Sequence, residues 1–256
     1  MKEALKMILL KRFLLLIQFM TTIPLPVNLD VSDEDFGKGL AFAPLIGLLI
    51  GGVIACGSYV LNMFFSPAIT AVLVVITYIL LTGGIHLDGL GDTFDGIFSN
   101  RPKEKILEIM RDSRVGTYAV LVTVCILGLN AVLIYSIISA HMYFTLVLMP
   151  VAGRIGSVAG AAVSEYARSG PGLGKSFIDY CGLKELVIAL IISIITFSGF
   201  KGLTGAFLCI FMFLSAVLVV KFLGRKIGGA TGDVLGAVCE LNQTIFLIIS
   251  YLLVFS

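Results

Sequence analysis

Three aspartates stand at i, i+4 and i+7 in the run Gly83-Gly84-Ile85-His86-Leu87-Asp88-Gly89-Leu90-Gly91-Asp92-Thr93-Phe94-Asp95-Gly96. On an ideal helix this spacing places Asp88, Asp92 and Asp95 within about 60° of one another. Like charges on one stripe repel, and the apolar run just before them adds a desolvation cost. A divalent cation removes both penalties. Mg2+ prefers hard oxygens and is commonly held by a few carboxylates together with substrate phosphates. The interleaved Gly89, Gly91 and Gly96 weaken a helix, which makes sense where a bulky ligand or second helix comes close. A solvated acidic helix end would account for one such aspartate more readily than for three. His86 projects away from the stripe and reads equally well as a polar side chain satisfied by a neighbouring helix.

A second group follows in Glu108-Ile109-Met110-Arg111-Asp112-Ser113-Arg114-Val115-Gly116-Thr117. The apolar residues at 106, 107, 109 and 110 suit a short helix lying on a membrane surface. Arg111 and Arg114 are expected one helical turn apart, just ahead of a long apolar run. The planar fork of arginine matches phosphate oxygens, so Arg111, Ser113 and Arg114 read as an anion clamp. Lys103 and Lys105 need no role beyond anchoring at lipid headgroups.

A third group opens the last apolar run, Gly229-Ala230-Thr231-Gly232-Asp233, and continues to Glu240. Thr231 can cap a helix whose free N–H groups form an anion site. Asp233 and Glu240, at i and i+7, share a face. Asp233 could be a helix-start acid favoured by the dipole, but Glu240 lies about two turns into a span, where an ionised group is costly and functional by default. Arg154 is mid-span in Pro150-Val151-Ala152-Gly153-Arg154 and needs either an acid from another helix or the substrate cavity. The cavity, or a metal-site carboxylate, is the expectation.

These groups need scaffolding, and the composition says of what kind. The chain has 256 residues, 58% hydrophobic and 13% charged, with a mean hydropathy of +1.06. Soluble domains carry about 25% charged residues, so the solvent suited to this chain is lipid. A net charge of +2 gives no reason to expect nucleic acid. The five cysteines include no C-x-x-C pair and mostly lie in apolar runs, as small hydrophobes do. Lys11 and Arg12 interrupt the N-terminal apolar stretch, and no A-x-A site follows, which argues against a cleaved signal.

A helical span needs roughly 20 apolar residues. Seven stretches qualify, at about 38–62, 67–87, 116–139, 142–166, 183–199, 203–222 and 234–255, in an all-α, polytopic membrane bundle of one domain over 1–256. Parity then puts the longer polar segments 24–37, 96–114, 167–182 and 221–232 on one side, with nearly all the loop cations. The positive-inside rule makes that side cytoplasmic. Residues 3–20 carry Lys6, Lys11 and Arg12 and are expected to form an amphipathic or re-entrant helix at that surface. Gly47, Gly51 and Gly52 suit close helix packing.

All three groups therefore fall on one face. Acids with arginines there suggest metal-bridged phosphates, and no Ser-His-Asp grouping, Walker loop or redox motif competes. The residues point to phosphoryl or prenyl transfer from a diphosphate-bearing substrate at the membrane surface. An ion-coupled transporter would use similar ingredients, but predicts acids near mid-bilayer and an internal repeat, and no repeat is present.

The strings His86 to Gly96, Glu108 to Thr117 and Gly229 to Asp233 with Glu240, supported by Phe19-Met20-Thr21-Thr22-Ile23-Pro24 and Pro44-Leu45-Ile46-Gly47, resemble the cobalamin synthase family, the adenosylcobinamide-GDP ribazoletransferases, in order over nearly the whole chain. Thr22 departs from the pattern, which leads one to expect arginine. A CDP-alcohol phosphotransferase would have Ala-Arg after the first Asp-Gly, where this chain reads Leu90-Gly91. The resemblance implies a Mg2+-dependent enzyme, with Mn2+ as a substitute, of the cytoplasmic membrane. A hydroxyl of α-ribazole, or of its 5′-phosphate, would attack the cobinamide-side phosphorus of adenosylcobinamide-GDP, and GMP would leave. It further implies that Asp88, Asp92 and Asp95 hold metal on the diphosphate, that Arg111 and Arg114 contact phosphate, and that Asp233 or Glu240 completes the metal shell or activates the hydroxyl. Nothing in the sequence excludes a homo-oligomer.

Overall fold

The computed structural model describes residues 2–255, which are helical nearly throughout. Along the chain run α1 (Lys2–Met20), α2 (Asp33–Gly39), α3 (Ala43–Leu61), α4 (Pro67–Thr82), α5 (Ile85–Phe98) and α6 (Lys103–Ile109). Then follow α7 (Thr117–Ser139), α8 (Tyr143–Ala162), α9 (Leu173–Tyr180), α10 (Leu183–Gly224) and α11 (Gly232–Phe255). A short 3-10 turn, Leu40–Phe42, joins α2 to α3.

The seven expected spans are recovered, with two differences in how the chain forms them. α10 is 42 residues long but breaks at Gly202, whose φ of 57° and ψ of −141° suit glycine. A Cβ on Gly205 would lie 2.1 Å from the Phe197 carbonyl oxygen, so the chain doubles back there and α10 is two antiparallel arms. The second difference is at α4, which ends at Thr82 rather than 87. Gly83 and Gly84 follow at φ 64° and 69°, two left-handed residues that stop the helix. α5 then sets off at 92° to α4, and only the two together are long and apolar enough to make one crossing. With this bent pair taken as one crossing and α10 as two, the spans number seven.

Helix α8 is the centre of the bundle: 94% of its apolar window is buried, against 33% for α7. Backbones come close around it. A Cβ on Gly47 would lie 2.7 Å from the Pro150 carbonyl oxygen and one on Gly51 2.2 Å from that of Val147, whereas Gly52 faces open space. Small residues permit this approach, and dispersion and polar contacts supply the attraction that lipid does not.

Sidedness is visible in the packing. At one end the short connections meet: Asn62 donates to the Tyr143 hydroxyl at 3.0 Å and Lys201 sits 4.9 Å from the Phe144 ring centroid. At the other end the longer polar segments meet. Ser176 donates to Asp33 at 2.8 Å, Lys226 to the Ile97 carbonyl at 2.9 Å, and Ala230 N–H to the Glu165 carbonyl at 2.8 Å. The parity argument and the packing thus assign the same segments to the same end.

α1 does not have the one-sided pattern expected of residues 3–20. Its polarity changes along the helix: Met7, Ile8, Leu9 and Leu10 are exposed, while Leu15, Leu16, Ile17 and Met20 are buried. At the turn between these halves, Lys11 and Arg12 reach Asp35 at 2.6 and 3.0 Å. These ion pairs pin α1 to α2 at the polar end of the bundle.

Candidate active site

α5 and α11 cross closely enough that a Cβ on Gly89 would lie 2.8 Å from the Asp233 carbonyl oxygen. That contact brings the first and third residue groups together. Asp88, Arg111, Arg168 and Asp233 line a cavity of about 560 Å3 at the polar end, with Phe19 and Phe177 on its apolar side. Asp88 and Arg111 also line a wider groove of about 1150 Å3, where Asp92, Ser113 and Arg114 join them.

Among the described residues, neither Asp88 nor Asp92 accepts a hydrogen bond or forms an ion pair. Asp88 is exposed to the cavity and Asp92 is half-buried. Asp92 has the charges of both Asp88 and Asp233 near it, a crowding of carboxylates that a cation would relieve. Asp233 accepts from Arg168 Nη2 at 2.8 Å and from Thr231 Oγ1 at 3.3 Å. The three carboxylates are hard oxygen donors of the kind Mg2+ takes, but among the described residues only His86, Cys239 and Glu240 bring three ligand atoms within 4.8 Å of one another, so the aspartates would have to draw together around a cation.

Several side chains stand elsewhere than the spacing led one to expect. Asp95 turns from the stripe and receives Gly116 N–H at 2.7 Å and Ala119 N–H at 2.9 Å. It caps α7, whose first N–H groups need acceptors, and does not line either cavity. Thr231 caps α11 as expected, receiving Val234 N–H at 3.3 Å. Its hydroxyl is fully buried and steadies Asp233, so it is not offered to phosphate. Arg111 and Arg114 are not on one helix, because α6 ends at Ile109 and residues 110–116 are irregular. Arg114 folds back onto Asp112 at 2.5 Å, and its guanidinium holds that carboxyl down to about 2. Arg111 has no acid partner among the described residues and faces both cavities.

Arg154 and Glu240 lie outside both cavities, deeper in the bundle. The Tyr78 hydroxyl is their hub. It donates to Glu240 Oε1 at 2.5 Å and receives Arg154 Nη1 at 3.4 Å and Gln243 Nε2 at 2.8 Å. Arg154 therefore meets neither expectation directly: its partners are Tyr78 and Gln243, Glu240 is reached only through the Tyr78 hydroxyl, and the expected cavity position is not observed. His86 bridges the regions: it lines the smaller cavity, and its ring nitrogen comes within 4.8 Å of Cys239 Sγ and a Glu240 oxygen.

The residue that spacing alone missed is Arg168. It counted only as a loop cation, yet its Nη2 holds Asp233 and reaches the Met110 carbonyl at 3.4 Å, while its Nε is buried without a partner. The available signal was the stretch Arg168-Ser169-Gly170-Pro171-Gly172-Leu173-Gly174. Three glycines in five residues let backbone approach backbone, and a Cβ on Gly174 would lie 2.5 Å from Gly232 N. This loop closes the cavity beside Asp233.

Fold and cavity define a polytopic helical protein of membrane-spanning type, with acids and arginines gathered at one end of the bundle. The particular family follows from comparison with known proteins: residues 12–251 match the family described as cobalamin-5-phosphate synthase, and the chain belongs to that family. It is 56% identical over 241 residues to the adenosylcobinamide-GDP ribazoletransferase of Clostridium acetobutylicum, covering 94% of this chain and 96% of that one. Against the protein of the same name from Acetivibrio thermocellus it is 55% identical, covering 95% of this chain and 98% of that one. The Caldanaerobacter subterraneus protein, likewise named, is 42% identical over 239 residues, covering 92% and 96%. No solved structure matches the chain.

Proposed function

We propose that this chain transfers the cobinamide-phosphate group of adenosylcobinamide-GDP to a ribose hydroxyl of α-ribazole, or of its 5′-phosphate, at the cytoplasmic face of the membrane. The observation that carries this is the pair of unpartnered carboxylates: Asp88 lines the cavity of Asp233, Arg111 and Arg168, and Asp92 joins Asp88 and Arg111 in the adjoining groove. In the step, the hydroxyl oxygen forms a bond to the cobinamide-side phosphorus. The bond to the bridging oxygen breaks, GMP leaves with the electron pair, and the hydroxyl proton passes to water in the cavity.

Asp88, Asp92 and Asp233 would hold Mg2+, or Mn2+ in its place. When bound, such an ion neutralises diphosphate charge and the developing charge on the leaving oxygen. Arg111, free of acid partners, is placed to take a phosphate oxygen from either cavity, and Arg168 offers its buried Nε to the same region. Thr231 and Arg168 fix the Asp233 rotamer, the kind of support that keeps a ligating carboxylate oriented. Arg114 and Ser113 line the mouth of the wider groove, where the departing nucleotide meets solvent. Buried His86 lies at the inner end of the smaller cavity, and residues 171–174 line its mouth.

The purified protein in detergent is the test. GMP should be released from adenosylcobinamide-GDP only when α-ribazole, or its phosphate, and a divalent metal are both present. Undiminished GMP release in excess chelator would overturn the metal role, and release without any ribazole acceptor would overturn the transfer.

A further inference from the structure

The two cavities differ in size and lining but share a wall made by Phe19, Ile85, Asp88 and Arg111. Phosphoryl transfer places the attacking and leaving oxygens roughly in line through phosphorus, so two substrates must approach one point from different sides. A shared wall carrying a carboxylate and an arginine is such a point.

Resting on the transfer proposed above, the geometry points to a division of labour in which the smaller cavity binds the benzimidazole nucleoside and the wide groove binds the corrinoid. Size separates them first. Pockets for drug-sized ligands run from about 300 to 1,000 Å3. The smaller cavity, about 560 Å3, falls within that range, and the groove, about 1150 Å3, exceeds it. A benzimidazole riboside is drug-sized. A corrin macrocycle with its amide arms and an adenosyl group is several times larger and fits only the groove.

Lining chemistry separates them again. The smaller cavity has an aromatic end, where the Phe19 and Phe177 rings lie 5.1 Å apart, and a polar end at Asp88, Arg111 and Asp233. A flat aromatic base can lie against the part-exposed Phe19 ring, backed by buried Phe177, with its ribose toward Asp88. The groove is walled on one side by Val120, Thr123, Val124 and Leu127 of α7 and on the other by residues 110–115. An amphiphilic macrocycle lies along the first wall while its diphosphate follows the second to Arg111. Nucleoside and corrinoid thus meet at the shared wall without competing for space.

Two exposed positions test this without disturbing the core: Leu173 at the cavity mouth, 48% exposed, and Val124 in the groove, 65% exposed. Leu173→Trp should raise KM for α-ribazole about tenfold and leave KM for adenosylcobinamide-GDP within about twofold; Val124→Trp should do the reverse. Circular dichroism and thermal unfolding of both variants should match the unsubstituted protein. Crossed shifts, shifts of the same substrate by both variants, or no shift in either would overturn the assignment. Failure of the unsubstituted protein to release GMP would instead overturn the transfer reading itself, so the two failures are distinguishable.

Discussion

Arg154→Met should destabilise the bundle while sparing the chemistry. Arg154 is fully buried, and its charge faces Glu240 through the Tyr78 hydroxyl rather than through direct contact. Removing one member of a buried pair typically costs about 3–5 kcal/mol, because the other charge is left uncompensated. The geometry selects the lower end. Both bonds from Arg154 Nη1, to Tyr78 and Gln243, are long at 3.4 Å. The Nε and Nη2 atoms have no hydrogen-bond partner. A loss of about 3 kcal/mol follows, and at about 2–4 °C per kcal/mol for a chain of this size the midpoint falls by about 6–12 °C. Glu240→Gln, which keeps an acceptor for Tyr78 but strands the arginine, should cost a similar amount. The double variant should recover about 1–3 kcal/mol, since contacting pairs are not additive. Thermal unfolding in detergent reads the midpoints, and GMP release measured well below them reads turnover, which should stay within about threefold. Loss of more than about a hundredfold in turnover with an unchanged midpoint would refute the structural role and put Arg154 and Glu240 on the substrate.

Asp92→Asn should lower turnover by at least about a hundredfold and weaken the apparent affinity for Mg2+, measured by metal titration of GMP release, without moving the unfolding midpoint downward. Asp95→Asn should behave oppositely, costing about 1 kcal/mol of stability as a lost cap while turnover stays within a few-fold; calorimetry and the same assay check both. Gly89→Ala places a Cβ 2.8 Å from the Asp233 carbonyl oxygen. Such overpacking costs about 1–3 kcal/mol, and turnover should fall as α5 moves from α11. Arg168→Lys keeps the charge but loses the fork that holds Asp233, and KM for α-ribazole should rise roughly tenfold while circular dichroism is unchanged.

The sequence was most informative where local spacing decides the outcome. Asp88 and Asp92, one turn apart on α5, do share the chamber, and the short connections and long polar segments do separate to opposite ends. Spacing failed where a neighbouring element competes for the same group. Asp95 satisfies the i+7 rule on its own helix, but the start of α7 lies beside it and supplies two N–H donors. The Arg111–Arg114 pair fails because α6 ends before it, a boundary set by packing of Ile106 and Met110 beneath the helix. Hydropathy predicts that Arg154 and Glu240 each need a partner, but the partner is a tyrosine far away in sequence, on α4. Arg168 was hidden for the opposite reason: loop cations on the positive side already have an explanation, so nothing in its surroundings demanded a second.

The Gly83-Gly84 bend joins these observations. A straight continuation of α4 would carry Asp88 and Asp92 further along the membrane normal, out past the headgroups and away from α11. Two left-handed residues turn α5 through 92° instead, laying the aspartates across the end of the bundle, where Gly89 meets Asp233. α4 itself keeps Tyr78 between Glu240 and Arg154, about two turns below. One short run therefore anchors a charge network inside the bundle and presents Asp88 and Asp92 at its end, and the two are separable only because the helix is broken between them. Thr22 reinforces the break. It donates to the Leu80 carbonyl at 2.8 Å, and its N–H bonds the Leu81 carbonyl at the same distance. These carbonyls lie in the last turn of α4, where the bend leaves them without helical donors. At this position, where the family pattern leads one to expect arginine, a threonine serves the bend through two short bonds. Its role here is to hold the angle between α4 and α5, and through that angle the distance between Asp88 and Asp233.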